Sequence, residues 1–140
     1  MSNQFELVYT VQDYWDGPRQ GIADFQGVPH IYERQFDKIE DDWSDTFLLA
    51  PIDEKSFNLA MDAWAIWKRH LKAVERKEVL LSTHSVLPED KERYEQIKPA
   101  IDALLELIPV NAIRAKAEFR TIQGSGSQAE WQVRWSSINL

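Results

Sequence analysis

Residues 22–36 read Ile-Ala-Asp-Phe-Gln-Gly-Val-Pro-His-Ile-Tyr-Glu-Arg-Gln-Phe. Two runs of strand-forming character, 22–25 and 28–36, flank Gln26-Gly27, and a glycine that accepts positive φ makes this pair a hairpin turn. An antiparallel pair at this point decides the class of the fold, because the segments on either side can then be tested for the same period.

Working towards the N-terminus, residues 5–11 alternate, with Phe5, Leu7, Tyr9 and Val11 on one side and Glu6, Val8 and Thr10 on the other. That is the signature of a half-buried strand. Between the two lies Trp-Asp-Gly-Pro-Arg-Gln-Gly, whose glycines and proline mark a turn. Towards the C-terminus, 37–45 reads as an acidic loop, and Thr46-Phe47-Leu48-Leu49-Ala50, stopped by Pro51, as a fourth strand. The N-terminal third is therefore expected to be a meander.

The period changes after Pro51. Asp53 or Ser56 caps a helix running to about Arg76, with acids at its start and Lys68, Arg69, Lys72 and Arg76 near its end, as the helix dipole favours. Its apolar arc is wide, which predicts cover on two sides or self-association. A loop over 77–87 and a second helix opening at Pro88-Glu89-Asp90 follow, and Pro99 predicts a kink or a break within it. Period two then returns: Ile113, Ala115, Ala117 and Phe119 alternate with charged residues, and Trp131, Val133 and Trp135 alternate with Gln132, Arg134 and Ser136. This hairpin is expected to lay its apolar face on the long helix and to leave its other face wet. The whole, residues 1–140, is read as one α+β domain: an antiparallel sheet, curled or barrel-like, built from an N-terminal meander and a C-terminal hairpin and covered by two helices.

Composition restricts function more than it assigns one. The 140 residues are 44% hydrophobic and 28% charged, with no cysteine, so disulfides and thiolate metal sites are excluded. No apolar run approaches a membrane span, and the N-terminus lacks a secretory pattern, so a cytoplasmic protein is expected. Net charge is −7, and residues 1–54 hold 12 acids against 3 bases. Such a half repels polyphosphate backbones and attracts a basic protein partner. Nucleic acid and membrane are therefore not expected as partners, and no cofactor is expected.

Residues 13–33 gather three of the five glycines, two of the six prolines and four aromatics around Asp13, Asp16, Arg19, Asp24, His30 and Glu33. A histidine near carboxylates serves as a general base when an acid orients it. An enzyme reading would use His30 as base, Arg19 as anion clamp and Asp16 and Asp24 as neighbouring carboxylates. The structural alternative caps turns with Asp13 and Asp16, pairs Arg19 with one of them and leaves His30 as a polar edge residue. Register decides: a two-residue loop puts His30 opposite Ala23 and turns Asp24 and Glu33 to the other face, whereas a bulge at Gly27 shifts all of this by one.

The acidic run 40–45 lacks the spacing and glycine of a calcium loop. Nothing in the spacing of His30, His70 and His84 supports a metal site, and His70, at a helix end, is expected to act as a favourable cation there. Trp131 and Trp135 fall on the core face of the last strand with the basic residues on the other, so stacking and charge are not expected to meet at one ligand. Trp15 and Trp43, in loops, are the candidates for a binding surface. Phosphate-loop, dinucleotide, nucleophile-elbow and zinc-protease signatures are absent from the sequence.

The stretch Asp-Tyr-Trp-Asp-Gly-Pro-Arg-Gln-Gly-Ile-Ala-Asp-Phe-Gln-Gly-Val-Pro-His-Ile-Tyr-Glu resembles a pattern of small, uncharacterised bacterial proteins. Phe47-Leu48-Leu49-Ala50-Pro51 and Ala63-Trp64-Ala65-Ile66-Trp67 extend the likeness over about residues 10–90. The resemblance implies a bacterial, cytosolic origin and carries no activity or residue role with it. The functional expectation is then a non-enzymatic module that binds a basic protein through its acidic N-terminal face, in the manner of an immunity protein, antitoxin or adaptor. Trp15 and Trp43 would be its aromatic anchors, Asp16, Arg19, Asp41 and Asp42 its charged contacts. The alternative is a small-molecule enzyme in the 13–33 segment, and a homodimer through helix 53–76 is a third expectation.

Overall fold

The Gln26-Gly27 turn has φ of 54° and 77° at its two central residues, the doubly positive geometry of a type I′ hairpin, in a computed structural model that describes residues 4–14, 17–78, 86–106, 112–124 and 129–138. Primed turns match the twist of the strands they join, so β2 (Pro18–Phe25) and β3 (Val28–Asp37) pair without interruption from Gln20↔Glu33 to Phe25↔Val28. Four further strands continue the pattern: β1 (Glu6–Tyr14), β4 (Asp42–Pro51), β5 (Ile113–Gln123) and β6 (Glu130–Ser137). Each strand pairs antiparallel with the next in sequence, and β6 pairs back onto β1, so the sheet closes as a six-stranded barrel. Closure removes the free edges that an open sheet would expose.

A β-bulge in β1 tunes this barrel. Val8 pairs with Ala23, but Thr10 pairs with Ile22 and Val11 with Gly21, so Tyr9 is an extra residue. A bulge exchanges the faces of the strand beyond it. Val8 accordingly packs on the interior cluster, while Thr10 and Val11 are both buried and Leu7 is exposed. This corrects the simple alternation, which put Leu7 and Tyr9 inside. At the same place Gly21 is required. A Cβ there would strike the Thr10 carbonyl oxygen and lie 2.6 Å from the Tyr32 hydroxyl, which donates to that carbonyl at 3.0 Å.

The interior is aromatic. Phe25, Tyr32, Phe47, Leu49, Val133 and Trp135 are buried together with Ala23 and Ala115, and Phe119 and Ala117 pack against them. Trp135 donates its indole N–H to the Asp24 carbonyl at 2.8 Å, satisfying the one polar atom this large side chain brings inside. The apolar face of β5–β6 thus points into the barrel, where the sequence had assigned it to the long helix. The acidic segment 37–45 is likewise not a loop: Asp37↔Asp42 and Phe36↔Trp43 are paired, leaving a turn over 38–41.

Two compact units divide the chain, Met1–Ile52 with Leu107–Leu140, and Asp53–Glu106. The second unit, inserted between β4 and β5, holds α1 (Glu54–Glu75) and α2 (Lys91–Glu106). Asp53 caps α1 by accepting from the Ser56 amide at 2.7 Å, and this bond holds its carboxyl below the usual range. The Pro88–Asp90 turn, a single 3₁₀ turn, leads into α2, which runs on through Pro99 rather than ending there. Arg69 of α1 bridges to Asp90 of that 3₁₀ turn through two nitrogens at 2.8 and 2.9 Å, and Arg93 of α2 meets Asp62 of α1 at 2.8 Å. His70 lies in the last turns of α1, as expected, and is buried there, stacked on Trp67 with ring centroids 5.8 Å apart. No described helix is long and apolar enough to cross a membrane.

Candidate binding site at the barrel mouth

The uninterrupted β2–β3 ladder fixes where the 13–33 residues go. His30 is paired with Ala23 and turned inward, its Nδ1 2.7 Å from the Val28 carbonyl and its ring edge-on to Phe25 at 5.2 Å. Asp24 faces the other way, where its carboxylate takes a hydrogen bond from Tyr9; burial and this carboxylate push the Tyr9 hydroxyl up to about 12. Glu33 also alternates outward, and burial raises its carboxyl above the ordinary value. Arg19 lies at the far end of β2, bound to Asp13 at 2.7 Å. Four strand positions separate its level from that of His30, roughly 13 Å at the usual rise. Asp16 and Trp15 lie outside the described residues. The described members of the expected catalytic group are therefore not brought to one pocket.

Asp41 and Asp42 are exposed at the β3–β4 turn, together with Glu40 and with Ile39, whose exposure of 93% is the highest among the exposed large hydrophobic residues. Trp43 belongs to β4 opposite Phe36, and its side chain lies outside the description. Among the described residues no cluster of three histidine or carboxylate groups is arranged to hold a metal ion.

A cavity does form, at the end of the barrel where β1 ends and β2 begins. It has a volume of about 420 Å³. Four aromatic rings wall it: Tyr14 from β1, Phe47 from β4, Phe119 from β5 and Trp131 from β6. Tyr14 and Trp131 meet at a tilt of 48° with centroids 6.1 Å apart, Trp131 meets Phe119 edge-on at 6.3 Å, and Phe119 meets Phe47 at 5.5 Å. The floor is closed, because Tyr32 and Trp135 beneath it are buried and packed on Phe119.

The opening follows from strand pairing. The β1–β6 ladder runs Glu6↔Val133 and Leu7↔Gln132 and stops before Trp131; the β4–β5 ladder stops at Thr46↔Lys116. Beyond these points β5 and β6 continue to pair only with each other, to Gln123↔Glu130. The upper barrel is thus held at fewer seams than its middle, and the mouth stands open between them.

Two charged residues line the cavity, Arg34 and Asp45. Arg34 shares the inward face of β3 with Tyr32 and stands opposite Phe47. A register irregularity just above it frees the Ser44 carbonyl, which accepts from Arg34 Nε at 2.6 Å. Asp45 lies at the rim, three-quarters exposed and 3.7 Å from Lys116. Stacking surface and positive charge therefore do meet at one place, contrary to the expectation from β6 alone: the cation comes from β3. The basic residues on the outer face of β5–β6 are engaged elsewhere, Arg134 with Glu118, and Arg120 with Gln132 and with the ring of Phe5 at 3.7 Å.

Sequence reasoning missed Arg34, though a signal existed. In 28–36 the inward set is His30, Tyr32 and Arg34, and a guanidinium on the apolar face near a strand end marks either a mouth or an interior ion pair. Comparison of the chain with models of protein families, with curated proteins and with solved structures returned no match.

Proposed function

We propose that this chain is a binding protein for a small organic molecule, held in the mouth of the barrel. The observation that supports the reading is the cavity of about 420 Å³ walled by four aromatic rings with an arginine among them. Pockets for small ligands span roughly 300–1,000 Å³, are mostly apolar with a few placed polar groups, and recur in barrel mouths. Binding without chemistry is favoured over catalysis because His30 and Arg19 stand at opposite ends of the β2–β3 ladder and Asp24 faces away from His30. The test is an amide-resolved NMR titration with small aromatic acids, amines and neutral aromatics. Shifts clustered at Tyr14, Arg34, Phe119 and Trp131 are expected. Shifts scattered over the helices, or none at millimolar ligand, would end the reading.

A second reading rests on Ile39. An isoleucine 93% exposed at a turn, beside Glu40, Asp41 and Asp42, suits docking into a basic protein partner. Retention of a basic partner at low salt, lost in the Ile39→Ser variant, is the expected result; retention unaffected by that change would exclude the turn.

A further inference from the structure

Resting on the barrel-mouth reading, we propose that the ligand is a compact, planar aromatic anion, a molecule of two or three rings carrying a carboxylate or sulfonate that Arg34 holds. Four features of the cavity lead to this class. Its walls are ring faces and edges, which favour a planar π system over an aliphatic chain. Its floor is sealed by Tyr32 and Trp135, each at most 2% exposed, so an extended lipid tail has no channel to enter. Its size fits, since a dry cavity of about 150 Å³ takes one benzene and this one, at about 420 Å³, is nearly three times larger.

The fourth feature is charge. Arg34 is half-buried, and its Nε bond to Ser44 fixes the guanidinium plane while leaving the terminal nitrogens for a planar acid, which they can grip in bidentate fashion. Among the described residues no carboxylate forms an ion pair with Arg34, whereas its neighbour on β2, Arg19, is paired with Asp13. A protein of net charge −7 repels anions in general, so an anion that binds must be drawn by a local cation. Asp45 opposes this only weakly, being exposed, solvated and near Lys116.

Two fluorescent probes with one ring skeleton separate the claims. 1-Anilinonaphthalene-8-sulfonate is the anion; N-phenyl-1-naphthylamine lacks only the sulfonate. The full chain should bind the anion about tenfold more tightly or better, a charge-assisted bond's usual worth. Arg34→Gln should erase that preference and leave the neutral probe unchanged, and Asp45→Asn should tighten the anion about two- to threefold. Thermal melts confirm that each variant is folded, and the Asp45→Asn arm stands if Arg34→Gln is not. Equal affinity for both probes, or an anion affinity indifferent to both substitutions, would overturn the anion assignment and leave the cavity reading intact. Failure of both probes to bind, or binding untouched by Trp131→Ala, would overturn the cavity reading itself.

Discussion

Trp131 and Trp135 sit four residues apart on the same face of β6, yet one is sealed in the barrel and the other lines its mouth. Trp135 is 2% exposed, is packed by Tyr32, Phe47 and Phe119, and has its indole N–H bound to Asp24. Trp131 touches Tyr14 and Phe119 and opens onto the cavity. Alternation tells which side of a strand a residue takes; it says nothing of depth along the barrel. Depth is set by where the β1–β6 ladder ends, one residue short of Trp131.

The contrast can be broken at its sealed end first. Trp135→Ala should cost about 3–5 kcal/mol of stability in urea denaturation, the range for deleting a large buried aromatic. Trp131→Ala, already half-wet, should cost about 1 kcal/mol or less, while losing the ligand. Equal losses at the two positions would show that the mouth is a second core. Tyr32→Phe should be intermediate, about 1–3 kcal/mol, because it strips the Thr10 carbonyl of its buried donor. Gly21→Ala, whose Cβ has no room beside the Thr10 carbonyl, should prevent closure at the Tyr9 bulge, seen as loss of dispersed amide signals.

Smaller effects are set by pH on the outward faces. Glu33 has its carboxyl raised by burial, so between the unfolded and folded values the native state holds more protons. Its contribution is therefore present in acid and lost as pH rises through the folded value, and Glu33→Gln should raise the melting temperature slightly at pH 7 and not at pH 4. Tyr9, raised to about 12, behaves the same way at the basic end. Stability should fall between pH 10 and 12, and less steeply in Tyr9→Phe.

Much of the barrel could be read from residues alone. The Gln26-Gly27 turn and the apolar faces of β5 and β6 follow from local period and a turn with one demanding conformation, whereas the His30 to Ala23 pairing was one of two registers the residues left open and the uninterrupted ladder selects it. A polar cap at the start of α1 follows from local sequence too, with Asp53 rather than Ser56 taking the role. What escaped was set by long-range pairing. The bulge at Tyr9 inverts the face of β1, and no local feature of Glu-Leu-Val-Tyr-Thr announces it. The acidic strand ends of β3 and β4 look like loop because their charge is tolerated at an exposed tip. The site suffered most. Conspicuous polar residues in 13–33 drew attention, but the cavity is assembled from all six strands, with Arg34 as one residue in a strand otherwise read for its apolar members.

The account stands on an open, aromatic mouth with Arg34 as its anion anchor. A crystal structure of the full chain soaked with 1-anilinonaphthalene-8-sulfonate tests this most directly. The rings should lie against Trp131 and Tyr14 with the sulfonate on the Arg34 guanidinium; a mouth closed by its own side chains, or a probe seated away from Arg34, would contradict it.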